Sequence, residues 1–133
     1  MSEALDTNVL VRLATRDDEA QFRKAEKLIR ARFPHSSPAW ISLIVVVEYT
    51  WVLAKLYQYG RDEIVETLTA LTETDCFQVE DRNLVRAAIH VYARGKADFA
   101  DCLIAVRNKD QGAMTTHTFD RKAAKIEGFQ AIP

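Results

Sequence analysis

The stretch from Leu43 to Ala54 is the tightest constraint on this chain: it is apolar almost without a break, and Glu48 sits in its middle. A segment of this kind must be covered by protein or by lipid. It is shorter than the ~20 residues a bilayer-spanning helix needs, so protein has to cover it and no membrane span is expected. Ile44-Val45-Val46-Val47 alone would suit a strand. Ser42 is a good N-cap, however, and Gly60 a good terminator, so the pattern predicts a buried helix from Ser42 to about Tyr59 with Trp51 in the core. Glu48 then faces desolvation unless a cation or a donor compensates it. The plain alternative is a carboxylate at the helix edge that reaches solvent or pairs with a Lys or Arg.

The 133 residues suffice for one domain, 1–133, with a core that needs no disulfide or structural metal. Lys and Arg (18) nearly balance Asp and Glu (19), so the net charge of −1 does not announce a nucleic-acid or membrane surface. Cys76 and Cys102 lack the paired spacing of a zinc or redox motif and read as reduced core residues. Residues 1–6 have no basic flank followed by a hydrophobic run, so no signal peptide is expected and the cytoplasm is the expected location.

Around the apolar helix the chain alternates strand and helix signals. A short first strand ends near Asp6, which suits either a strand-end ligand or the N-cap of a helical turn from Thr7. Phe22, Ala25, Ile29 and Phe33 recur at helical spacing between Asp17 and Phe33, with Arg23, Lys27 and Arg30 on another face. A helix from Asp62 turns Ile64, Val65, Leu68 and Leu71 inward, and Cys76 to Val79 reads as a strand. Asp81 caps a helix with Leu84, Val85, Ala88 and Tyr92 on its apolar side, ended by Gly95, and Asp98 opens a further helix to Gly112. Ala113 to Thr116 reads as a strand, Phe119 to Ala124 as a helical turn and Phe129 to Ile132 as a last edge strand. Strands separated by helices give an α/β layer fold around a mostly parallel sheet, with ligand groups beyond the carboxyl ends of the strands.

Acids fall where such a fold presents chemistry. Asp6 and Asp120 follow predicted strands. Asp98 and Asp101 open a helix, where Asp98 is the better cap and Asp101 the better ligand candidate. Carboxylates without clustered His or Cys suit Mg²⁺ or Mn²⁺ rather than Zn²⁺. A carboxylate cluster repels a phosphodiester unless such an ion intervenes, so electrostatics calls for the metal. His35, His90 and His117 show no triad-like arrangement.

Taken in order, Leu5-Asp6-Thr7-Asn8-Val9-Leu10, Ser42 to Glu48, Asp98-Phe99-Ala100-Asp101-Cys102-Leu103-Ile104-Ala105 and Thr118-Phe119-Asp120-Arg121 resemble the motifs of PIN domains, and among them the VapC-type toxins of bacterial toxin–antitoxin pairs. The resemblance covers nearly the whole chain. It implies a three-layer α/β/α domain and a Mg²⁺- or Mn²⁺-dependent endoribonuclease, held inactive by a VapB-type antitoxin and assembled as a homodimer. By position Asp6, Glu48, Asp101 and Asp120 would be the catalytic, metal-binding acids. Asp98 is a further candidate ligand, and Asn8 and Thr118 are supporting polar groups. The alternative is a non-catalytic PIN-like domain or a Mg²⁺-binding receiver-like module. An aspartate-dependent phosphatase would want an Asp where Asn8 stands. Arg23, Lys24, Lys27, Arg30 and Arg32 form one candidate strip for RNA phosphates, or an ordinary solvated helix face. Trp40, Trp51, Tyr57 and Tyr59 are aromatic candidates for a partner interface.

Overall fold

The computed structural model describes residues 2–133; Met1, part of the stretch read above for a signal peptide, lies outside them. The chain divides into two compact units, Met1–Arg82 and Asn83–Pro133.

In the first unit the expected opening strand is a single parallel bridge between Ala4 and Trp40. The Trp40 N–H donates to the Glu3 carbonyl at 2.8 Å and the Leu5 N–H to the Trp40 carbonyl at 3.2 Å. Asp6 stops the extension, because its side chain accepts from the Thr7 N–H at 2.7 Å and starts helix α1 (Thr7–Thr15). Asp18 caps α2 (Glu19–Arg32) in the same way, accepting from the Gln21 N–H at 3.0 Å. Of the predicted apolar row, Ala25 and Phe33 are buried, while Phe22 is half-buried with the Arg16 guanidinium 3.9 Å above its ring.

Strand β1 (Ala39–Ile41) leads through the Ser42 cap into α3 (Leu43–Lys55), whose first N–H is also held by the Glu80 carboxylate at 3.1 Å. Two expectations need correction here. Helix α3 ends at Lys55 rather than near Tyr59, and Gly60 begins the next helix, α4 (Arg61–Glu73). The Gly60 N–H donates back to the Glu63 carboxylate at 2.9 Å, which secures that start. Trp51, expected in the core, is 55% exposed. Val46, Tyr49, Thr50 and Leu53 form the buried face of α3, which leaves Ile44, Glu48, Trp51 and Lys55 on the open one. Strand β2 (Phe77–Val79) pairs in parallel with β1, Ala39 opposite Phe77 and Ile41 opposite Val79. Helix α1 packs on α2 and α3, and α4 packs on α3 and β2.

The second unit opens with α5 (Arg82–Arg94), which follows Asp81 at φ +47°, a left-handed conformation that Asp tolerates better than most residues. Its buried face is Val85, Ala88, Ile89 and Tyr92, so Ile89 takes the inward place expected of Leu84. Tyr92 meets Phe99 edge to face, centroids 5.9 Å apart, at the start of α6 (Phe99–Asp110). Strand β3 is Thr116–Thr118, later than the expected Ala113 to Thr116. The Ala113 N–H is tied back to the Asn108 carbonyl at 2.8 Å, and extension begins only where the Thr116 N–H reaches the Gly128 carbonyl at 2.7 Å. After a 3₁₀ turn (Ala123–Lys125), β4 (Phe129–Ala131) pairs in parallel with β3.

Every strand pairing among the described residues is parallel, as an α/β sheet with helical crossovers requires. Among those residues no helix is long and apolar enough to cross a membrane. Neither cysteine forms a disulfide; Cys102 is buried, whereas Cys76, expected in the core, is only half-buried, and that burial pushes its thiol up.

Candidate metal centre

The acids of the first unit are brought together by two helices. Asp6 stands at the start of α1 and Glu48 midway along α3, and both line one open groove of ≈ 410 Å³ with Asn8, Arg12, Val52 and Tyr57. Glu48 is exposed and not desolvated, because the inward face of α3 is supplied by its neighbours. Its one protein donor among the described residues is the buried Thr7 hydroxyl, which donates to Glu48 Oε1. Asp6 commits Oδ1 to the Thr7 N–H. Thr7 therefore touches both acids, and Asp6 and Glu48 each keep one oxygen without a protein partner among the described residues.

One cation, Arg12, lines the same groove. Arg12 donates from Nε to Gln21 at 2.6 Å, and from one terminal nitrogen to Asp17 and to the Tyr57 hydroxyl, each at 3.2 Å. The Tyr57 hydroxyl donates to Asp17 at 2.5 Å, and that bond, aided by Thr15 and the Arg12 charge, holds the Asp17 carboxyl below its ordinary value. Of these groups, Thr7 is expected from the sequence only as the start of a helical turn and Tyr57 only as an interface aromatic, and Arg12 carries no expected role. The i, i+4 spacing of Asn8 and Arg12 was a signal for the cation. Tyr57 comes from beyond the end of α3 and gave no local signal.

The second unit holds the other acids. Asp98 has N-cap geometry before α6 but its side chain makes no capping hydrogen bond, so the carboxylate is not spent on the role that seemed its first claim. Asp101 lies half-buried in the first turn of α6. Burial raises its carboxyl above the ordinary value, and the charges of Asp120 and Asp98 raise it further. Asp120 follows β3, and its Oδ1 accepts from the Lys122 and Ala123 N–H groups at 2.8 and 3.0 Å. Its own N–H donates to the Thr118 hydroxyl oxygen at 3.0 Å.

Within neither unit do three Asp, Glu, His or Cys side chains of the described residues gather closely enough to cage a metal ion. The donor chemistry nonetheless fits a hard cation: the acids are carboxylates with uncommitted oxygens, with no thiolate among them, and Mg²⁺ keeps several waters beside one or two carboxylates. His35, His90 and His117 are all exposed, and His35 sits 3.7 Å from Asp75 at the surface. In the basic strip of α2, Arg23 and Arg30 pair with Glu19 and Glu26, and Arg32 pairs with Glu3, which leaves Lys24 and Lys27 uncommitted among the described residues.

Over 128 residues the chain is 26% identical to a VapC ribonuclease of Aquifex aeolicus (strain VF5), an alignment covering 96% of this chain and 93% of that protein. The PIN domain family pattern matches residues 4–128. That span runs through both units and takes in each of the acids placed above, and on it the chain belongs to the PIN domain family.

Proposed function

We propose that this protein is a VapC-type endoribonuclease, hydrolysing RNA phosphodiester bonds with Mg²⁺ or Mn²⁺. One observation carries the reading: Asp6 and Glu48 share an open groove, fixed by a common Thr7 partner, each with a free carboxylate oxygen. Asp6, Glu48, Asp101 and Asp120 are the assigned metal-binding and catalytic acids, with Asp98 as a further ligand candidate. The similarity to a VapC ribonuclease over nearly the full chain supports RNA as the substrate, a VapB-type antitoxin as the inhibitor and the cytoplasm as the place of action. The same resemblance supports a homodimer. The single family match over 4–128 supports reading 1–133 as one domain.

A divalent ion held by these acids would acidify a water and neutralise charge on the phosphate. The side chains divide the remaining work. Thr7 holds Glu48 in one rotamer, and Asn8 offers an amide that can orient a water in the groove. Arg12, fixed by Gln21, Asp17 and Tyr57, presents positive charge to an incoming phosphate. As water adds to phosphorus, the bond to the leaving oxygen breaks, so no side-chain nucleophile is required.

The test is cleavage of a mixed RNA pool that includes tRNA by antitoxin-free protein with Mg²⁺ or Mn²⁺. Chelator and Asp6→Asn serve as controls. Asn remains a good N-cap, so the variant should keep α1 while losing the charge. Cleavage abolished in both controls is expected; cleavage that survives Asp6→Asn with unchanged metal dependence removes Asp6 from the mechanism. A folded protein that binds metal but cuts no RNA would favour an interaction module.

A further inference from the structure

The tip that joins β3 to the 3₁₀ turn presents a side chain with no structural work to do. Phe119 is 81% exposed, the most open of the large apolar side chains among the described residues. The backbone that carries it is nevertheless fixed on both sides. The Thr118 carbonyl accepts from the Ile132 N–H at 2.9 Å, and its hydroxyl oxygen accepts from the Asp120 N–H. Asp120 then accepts from the Lys122 and Ala123 N–H groups through its side chain and from the Ala124 N–H through its carbonyl at 3.0 Å. The ring thus stands in water on a hydrogen-bonded turn, so binding there has little backbone left to order.

A single exposed apolar side chain is commonplace. Here the ring has company. Arg121, Lys122 and Lys125 are all exposed, and none makes an ion pair among the described residues. An aromatic face flanked by uncommitted cations is the chemistry of single-stranded nucleic-acid binding, in which bases stack on rings and cations follow the phosphates. The centre of a protein–protein interface, by contrast, is depleted of charge.

We propose that Phe119 stacks on an unpaired base of the RNA while Arg121 and Lys122 contact the adjoining phosphates. This rests on the ribonuclease reading and adds the residues that engage the RNA beside Asp120. Bases inside an A-form duplex are stacked on one another and out of reach of such a ring. Because Phe119 immediately precedes Asp120, a base stacked on it sets the register of the RNA backbone against that acid.

The probe is a fluorescein-labelled RNA hairpin with a single-stranded loop, compared with a blunt duplex of similar composition. Both are titrated with the Asp6→Asn protein in Mg²⁺, which keeps the acids charge-compensated without cutting. Phe119→Ala should weaken hairpin binding roughly 5- to 150-fold, with duplex binding and the salt dependence unchanged. Phe119→Leu should fall with Ala and Phe119→Tyr should match the parent, because stacking needs the π-face and not apolar area alone. The double variant Arg121→Gln, Lys122→Gln should weaken both RNAs and flatten the salt dependence. Equal hairpin affinity in the Ala, Leu and Tyr variants overturns the proposal and leaves the ribonuclease reading standing. So does unchanged RNA binding with loss of self-association on sedimentation, which would make Phe119 a protein contact. A parent protein that binds neither RNA overturns both. Circular dichroism checks the fold, which an 81% exposed side chain does not support.

Discussion

Thr7→Val isolates the bond on which the groove depends. Thr7 is 5% exposed, and its hydroxyl donates to Glu48 across the packing of α1 on α3. Valine keeps the shape and volume, so no cavity opens and only the hydroxyl is lost. A hydrogen bond to a charged group contributes ≈ 1.5–3 kcal/mol. Glu48 is exposed and regains water when released, which brings the expected loss down to about 1 kcal/mol. Urea unfolding of wild type, Thr7→Val, Glu48→Ala and the double variant completes a cycle that removes each residue's other contributions. A coupling of about 1 kcal/mol is expected, and cleavage by Thr7→Val should need more metal while the count of acids is unchanged. A coupling no larger than about 0.3 kcal/mol, the spread of independent sites, would refute the claim that Thr7 positions Glu48.

The remaining predictions concern charge and packing. Leu53→Ala, at a fully buried position of α3, should cost about 2–5 kcal/mol by denaturant unfolding; a loss under about 1 kcal/mol would mean that this face collapses around the deletion. Asp101 has a raised carboxyl pKa in the folded state, so its proton stabilises the fold at low pH. That contribution fades as pH rises from the ordinary 3.8 through the raised value. In chelator, therefore, wild type should lose more melting temperature than Asp101→Asn between acid and neutral pH, and parallel pH profiles would contradict the crowding of Asp101 by Asp120 and Asp98.

Much of this architecture was legible from caps. Ser42 and Asp98 marked the starts of α3 and α6, and Asp6, read as strand end or cap, proved to be both. Gly60 misled because the same residue can end one helix or begin another, and the deciding contact, from Glu63, belongs to the following segment. Helix α3 was hard to orient for a related reason. With Ile44 and Trp51 on one side and Val46 and Leu53 on the other, its apolar pattern does not say which face is inward, so Glu48 read as desolvated and Trp51 as core. The acids could be picked out by residue type and position. Their surroundings could not, because Thr7 reaches Glu48, and Tyr57 joins Arg12 in the groove, only once α1 and the end of α3 have packed.

The register of β1 on β2 also governs how quickly the first unit can form. Ala39 meets Phe77 only after the whole of α3 and α4 has been laid down between them. A parallel pair cannot be seeded by a tight hairpin, so its hydrogen bonds wait on closure of a long loop, whereas the two helices can begin from local contacts. The strand pairing therefore carries the larger loop-closure cost in this unit, and the contacts within α3 and α4 the smaller.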